Sequence, residues 1–451
     1  MTASGGVRSI PKTLGRLDLV LLKIVAVVNI NNVPPTAVYG RAALALWVLA
    51  FVAFFLPEAV AVVALSKRYP GEGGVYLWIK EEFGPTHGFF AGWCYWTNNL
   101  FYVPVLLVYM AGIFAFGGGT ATAALINDRR FVAAIALGWL VLITIANLRG
   151  LRIGKWIQNV GGIGVFLSIA LVLVAAGIAW SGGTAQAPPL VSGAGWGMVA
   201  SFSVMCNAFV GVELASTMGD EIRDPARDLK PAILIAGGVS LASYLLVTVA
   251  VLALVPIANL GVIEGIMQAV SLGAVRARAG WLVGPVAIVM GIAIGGAASA
   301  WFAGSARVPF VAGLTSALPK ALGRVHPRWG SPSVALTTCG VAAGFFTIAS
   351  LVGSSVAEAY QVLLKAAVVI QLIPLLYLFV ALARLPGVGA WSRAAGLLGL
   401  VTTAFGIVAA FFPTEDVASV ATFELKMAIG VLGPTAVGWY FFRRSRPRGR
   451  W

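Results

Sequence analysis

The apolar run at residues 17–39 is long enough to cross a bilayer, yet its middle reads Val28-Asn29-Ile30-Asn31-Asn32-Val33-Pro34-Pro35. Asparagine favours caps and turns because its amide competes for backbone hydrogen bonds. Pro34 and Pro35 remove two backbone donors and bias the residue before each away from helical geometry. Broken backbone at membrane depth persists only where buried protein or a polar cavity satisfies it. The run therefore predicts a discontinuous helix at a ligand site, with the rest of the chain supplying the walls.

That rest is apolar. Hydrophobic residues make up 59% and charged residues 10% of 451 positions, too little charge to cover a soluble protein of this size. Twelve spanning runs can be placed near 17–39, 42–66, 85–116, 131–148, 157–180, 195–218, 231–256, 281–306, 332–352, 357–383, 394–412 and 422–442, each close to the roughly 17–25 residues a crossing needs. An all-α membrane protein is expected, partnered by the lipid bilayer. The net charge of +15 does not signal nucleic acid. Outside the spans, 23 Lys and Arg fall in the tails and alternate loops of one side and six on the other, which puts both termini in the cytoplasm. A plasma-membrane location is expected. Residues 1–16 read as a cytoplasmic tail, 443–451 as a basic tail, and 17–442 as one transmembrane domain.

The sixth run repeats the theme. Asn207 and Gly211 bracket Ala208, Phe209 and Val210, a segment suited to leaving helical geometry because glycine accepts either sign of φ. Glu213 follows at membrane depth. If five spans recur in inverted topology, spans one and six correspond, and paired broken helices of this kind point to a midplane transport site. Half-helix N-termini offer free N–H groups to an anionic group, and free carbonyls can take an ammonium.

Several blocks carry a family resemblance when taken in order. These are Leu56-Pro57-Glu58-Ala59 with the following stretch 68–84, Gly92-Trp93 and Tyr95-Trp96, and Asn147-Leu148-Arg149-Gly150. Then come Gly211-Val212-Glu213 with Asp220-Glu221 and Asp224-Pro225, and finally Arg307-Val308-Pro309-Phe310 with His326-Pro327. Together they resemble the amino acid/polyamine/organocation permease superfamily. Asn32-Val33-Pro34 with Ala37-Val38-Tyr39-Gly40 looks most similar to its glutamate:GABA antiporter branch. The resemblance implies an inverted five-plus-five repeat of LeuT type (17–180 and 195–383) with two added helices (394–442). It also implies alternating access around a site between spans one, three, six and eight, and substrates among amino acids and related amines, moved by exchange or with protons. Many members carry Gly-Ser-Gly where this chain has Asn29-Ile30-Asn31, and the antiporter branch tends to have a basic residue where Asn31 stands. An acidic substrate is therefore not carried over.

The site expected from both readings comprises Asn29, Ile30, Asn31, Asn32, Tyr95, Asn99, Asn207, Ala208, Phe209, Gly211 and Trp301. Glu213 is the expected proton acceptor, being a carboxyl desolvated by its depth. Lys23 is an intramembrane lysine with two readings. It either snorkels to the cytoplasmic face or places its ammonium between spans one and eight. Glu358 and Lys365, seven apart on one face of span ten, form either an outer gate pair or an interhelical structural pair. Glu58 is expected to serve span-two packing, and Asn98 a packing hydrogen bond.

Cys94, Cys206 and Cys339 show neither a disulfide nor a metal spacing, and only two histidines are present. Gly117-Gly118-Gly119 lacks the lysine and strand–helix context of a phosphate loop. No nucleophile–base pair or cofactor motif is recognisable, so neither an enzyme nor a cofactor is expected. The rival function is a non-transporting sensor or accessory subunit on the same fold.

Overall fold

A computed structural model of the chain describes residues 12–183, 185–189, 195–314, 318–352, 355–412 and 420–445. Residues 1–11 and 446–451, which hold most of the two expected tails, lie outside these. The described residues are helical, and their sole strand-like pairing is an isolated parallel bridge between Leu14 and Ile222.

Eleven helices are long and apolar enough to span a membrane. The twelfth expected span is absent from that count because it is broken into Arg16–Val27, a single turn at Ile30–Asn32 and a short helix at Pro34–Ala37. Span six divides likewise into Trp196–Phe209 and Leu214–Glu221. Span two runs over Arg41–Arg68 and contains a π-helical bulge at Phe51–Phe55. Spans three, four and five are Pro85–Phe114, Arg129–Leu148 and Leu151–Ser181. Spans seven and eight are Pro225–Leu254 and Val283–Ser305, joined through the helix Gly265–Arg276. Ser333–Leu351, Val356–Arg384, Ala390–Ala410 and Val420–Ser445 complete the set as spans nine to twelve.

The pairing of helices carries the inverted repeat. Span one packs on span seven as span six packs on span two, and span five packs on span eight as span ten packs on span three. Exchanging one with six, two with seven, three with eight and five with ten maps the first member of each pair onto the second. Spans five and eight meet backbone to backbone, since a Cβ on Gly161 would lie 2.6 Å from the Gly296 Cα. Association of helices in lipid depends on such close approach, because lipid tails are as apolar as the side chains.

Span three is buried along almost its whole length, and spans eight and ten largely so. The outer helices instead turn Val141, Val341, Phe345, Val401 and Leu432 outward. A ring of exposed large apolar side chains is unfavourable in water and suits acyl chains. The polar breaks thus sit at the centre of an apolar bundle.

Candidate functional site

At the first break the carbonyls freed by the end of the first half-helix are claimed by side chains from three directions. The Asn29 amide folds back on Ala26 O at 2.7 Å, and the Trp301 indole of span eight donates to the same carbonyl at 3.2 Å. The Tyr244 hydroxyl of span seven lies 2.5 Å from Val27 O and 2.8 Å from Ala208 O, and accepts from Asn29 N at 3.0 Å. One buried hydroxyl therefore ties both broken helices together. Asn31 and the Tyr360 hydroxyl of span ten exchange contacts of 3.3 and 3.4 Å.

What these partners leave unused is informative. The Ile30 and Asn31 amides have no acceptor among the described residues. Asn32 is fully buried, and both atoms of its side-chain amide lack a partner there. Asn99 Oδ1 and the Tyr102 hydroxyl on span three are also buried and unpartnered. Buried polar groups are nearly always paired, so the orphaned Asn32 side chain, next to the free amides of the first break, marks a place where a polar ligand would complete the structure.

At the second break Gly211 adopts φ +130, which strongly favours glycine, and a Cβ there would meet Trp301 at 3.1 Å and Ala26 O at 3.2 Å. The turn carries Glu213 into the bundle. Its Oε1 accepts from the Tyr95 hydroxyl at 3.0 Å and the Gln371 amide at 3.3 Å, and its Oε2 from Gly211 N at 2.8 Å. Gln371 in turn accepts from Asn98 at 2.7 Å. The Lys23 ammonium, wholly buried, donates to the freed Val212 carbonyl and lies within electrostatic reach of Glu213 and Glu58.

Both ends of the site are closed. On the face bearing the N-terminus, Thr13 N and Leu14 N donate to Glu221 O at 3.0 Å, and Arg223 N donates to Leu14 O at 3.1 Å. Beneath this strand-like latch, Arg307 Nε and Nη2 hold Glu221 Oε1 at 2.9 and 2.8 Å, both side chains being 2% exposed. The Glu72 carboxyl adjoins the pair. Its burial, with the Glu221 and Asp220 charges outweighing Arg307, raises its pKa from the ordinary 4.5 to about 8. On the opposite face Gly265 abuts Pro34, and the rings of Tyr109 and Tyr360 sit 5.8 Å apart.

The structure brings most expected site residues together at the two breaks, with two corrections. Lys23 does not snorkel, because the unwound segment of span six presents the Val212 carbonyl to it inside the bundle. Asp18, its sequence neighbour, instead pairs with Lys155 at 2.9 Å and accepts from Asn159. Glu358 and Lys365 do not pair with each other. Glu358 joins Lys426 of span twelve, while Lys365 donates to Phe412 O at 3.2 Å. Two helical turns separate the two along the axis by about 10 Å, so each finds a closer partner on a neighbouring element. The Phe209 ring packs among Trp47, Phe51, Phe55 and Tyr244 in an aromatic wedge between spans two, six and seven.

Tyr244, Gln371, Tyr360 and Tyr102 were not anticipated from the sequence. Each is a polar group inside an apolar span, which is the general signal for an intramembrane site. A cavity of about 630 Å³ lies beside the latch, lined by Lys67, Tyr69, Ser216, Ile222 and Lys230, and other large cavities lie away from the breaks. One of about 780 Å³ is lined by Trp93, Phe101, Phe346 and Phe441, and another of about 530 Å³ by Leu56, Leu234 and Trp391. Both are apolar clefts without the polar convergence seen at the breaks.

The profile of the amino acid permease family matches residues 14–433. The chain is similar to an uncharacterised transporter of Legionella pneumophila, 24% identical over 96% of this chain and 97% of the relative. It is 25% identical to a probable agmatine/putrescine antiporter of Lactococcus lactis, over 73% of this chain and 70% of that one. A branched-chain amino acid permease of Bacillus subtilis is 24% identical over 79% and 77% respectively. The broken helices, the repeat and the matched length agree, and the chain belongs to the amino acid permease family, part of the amino acid/polyamine/organocation superfamily.

Proposed function

We propose that the protein is a secondary active transporter that carries an amino acid or a related amine across a cell membrane by alternating access. The observation that carries the site is the orphaned set at the first break: the free Ile30 and Asn31 amides beside the unpartnered Asn32 side chain. A carboxylate suits the two amides, which open a half-helix. An ammonium suits the acceptors Asn32 Oδ1 and Asn99 Oδ1 with the Tyr102 hydroxyl. Tyr95, Asn207, Ala208, Gly211 and Trp301 frame that volume, with Asn29 holding the break open. The wholly closed site corresponds to an occluded state of the cycle.

Both termini are placed in the cytoplasm by the distribution of Lys and Arg, so the Leu14–Ile222 latch is the inner gate. The two repeats span 17–180 and 195–383. Glu213 and Lys23 are the coupling groups at the break, the carboxyl through its bonds to Tyr95, Gln371 and Gly211 N and the lysine through Val212 O. Exchange and proton coupling share this machinery.

Solute counterflow in proteoliposomes tests the reading. Vesicles preloaded with a branched-chain amino acid, agmatine or putrescine should accumulate the same labelled solute with no ion gradient imposed. Binding without accumulation for a solute that shifts thermal stability would overturn the transporter reading in favour of a sensor. Asn32→Leu should abolish counterflow.

A further inference from the structure

Glu58 has no part in the site as drawn above, yet it is wholly buried at the centre of the bundle. Its placement follows from span two. The π-helical bulge at Phe51–Phe55 inserts an extra residue per turn just before it, which rotates the following face, and Pro57 opens the next helical segment. Among the described residues no donor reaches either Glu58 oxygen. The group within hydrogen-bonding reach of the carboxyl is the carboxyl of Glu213.

Two ionised carboxylates offer no hydrogen between them and repel. Such a contact becomes a hydrogen bond only when one carries a proton. The surroundings decide which. Glu213 already accepts from Tyr95, Gln371 and Gly211 N, the solvation an ionised carboxylate requires. Glu58 accepts nothing, as suits a carboxylic acid whose one hydrogen points at its neighbour. The titratable groups facing the pair are Lys23 from span one, Tyr95 from span three and the Cys206 thiol from span six. With Tyr95 and Cys206 neutral, one proton on the pair leaves a charge of −1, which Lys23 cancels when it carries its own proton. A second proton would leave a net positive core, and none would leave it negative, both costly at this depth.

We propose that Glu58 and Glu213 form a single-proton site, a carboxyl pair that binds one proton from water and, when it releases it, disturbs the Glu213 bonds that shape the span-six break. The site lies on spans two and six, so relative movement of the two helices would separate the carboxyls and expel the proton. This rests on the transporter reading only for its consequence, since proton binding by the pair can be observed without transport.

The test is infrared spectroscopy of the purified protein with 13C-labelled glutamate, titrated with acid and base. Glu72 also holds its proton at neutral pH and its band is identified by its loss in Glu72→Gln; beside it the native protein should show one further carbonyl-stretch band of a protonated, buried carboxylic acid at neutral pH. Glu58→Gln and Glu213→Gln should each remove that band entirely, because the remaining carboxyl ionises beside Lys23. A band that survives one substitution unchanged, or a native protein with no such band, would overturn the shared site. If a Gln variant does not fold, Glu58→Asp serves: the band should shift, and an unshifted band counts against the proposal. Counterflow of the native protein, run at one pH, reports separately on transport.

Discussion

The latch at the N-terminal end of the bundle permits a quantitative prediction. Glu221 contributes in two ways: its backbone carbonyl receives the Thr13 and Leu14 amides, and its side chain holds Arg307. In Glu221→Gln the backbone acceptor and a neutral side-chain amide oxygen remain, but Arg307 keeps its charge at 2% exposure with the carboxylate that cancelled it gone. Removing one partner of a buried pair costs about 3–5 kcal/mol, while replacing both by apolar groups of similar volume is often neutral. Opening the latch lets the orphaned guanidinium reach water, so much of that cost should appear in the opening equilibrium. At about 1.4 kcal/mol per decade, the Thr13 and Leu14 amides should exchange with deuterium about two to three orders of magnitude faster in Glu221→Gln. The double variant Glu221→Gln/Arg307→Met should return close to the native rate. Glu72 adjoins the pair, and because the Glu221 charge helps to keep its pKa up, Glu221→Gln should let Glu72 ionise at lower pH and partly relieve the stranded Arg307. Equal exchange in the single and double variants would refute the reasoning, because it would mean that the stranded charge has no energetic consequence.

Other outcomes follow from the same contacts. Thermal stability should decline as pH rises from 4.5 through about 8, because the Glu72 carboxyl is protonated in the folded chain and must ionise there, whereas in the unfolded chain it ionises first; Glu72→Gln should flatten the slope over that window. Gly211→Ala should lose counterflow and lower the melting temperature, since an alanine at φ +130 is strained and its Cβ meets Ala26 O. Asn32→Leu should leave the melting temperature of the unliganded protein unchanged or raised while abolishing the stabilisation by substrate, because the native side chain has no internal partner to lose. Tyr244→Phe should destabilise by roughly 1–3 kcal/mol, as the Asn29 amide loses its acceptor in a buried site, read by denaturant-induced unfolding.

Much of this arrangement is legible in the chain. Asn29 to Pro35 foretold the first break, because amide competition and missing N–H groups act within a few residues of themselves. Gly211 foretold the second on the same ground. The outlook for single side chains was poorer. Asn29, Asn31 and Asn32 are indistinguishable in sequence, yet one caps a carbonyl, one meets Tyr360 and one is orphaned. Glu58 read as packing because its position before the helix rotates gave no hint that it faces Glu213.

The sequence by itself determined that this is a membrane-spanning bundle, where its helices lie and which two are interrupted. These properties depend on hydropathy summed over a span and on backbone rules that act locally. Only the tertiary structure decided which freed groups are satisfied and by whom: Tyr244 joining the two breaks, Glu358 meeting Lys426 rather than Lys365, and Lys23 reaching Val212. A partner across helices depends on each helix's rotation and height. Those are set by close packing such as Gly161 on Gly296 and by the bulge in span two, neither of which hydropathy encodes.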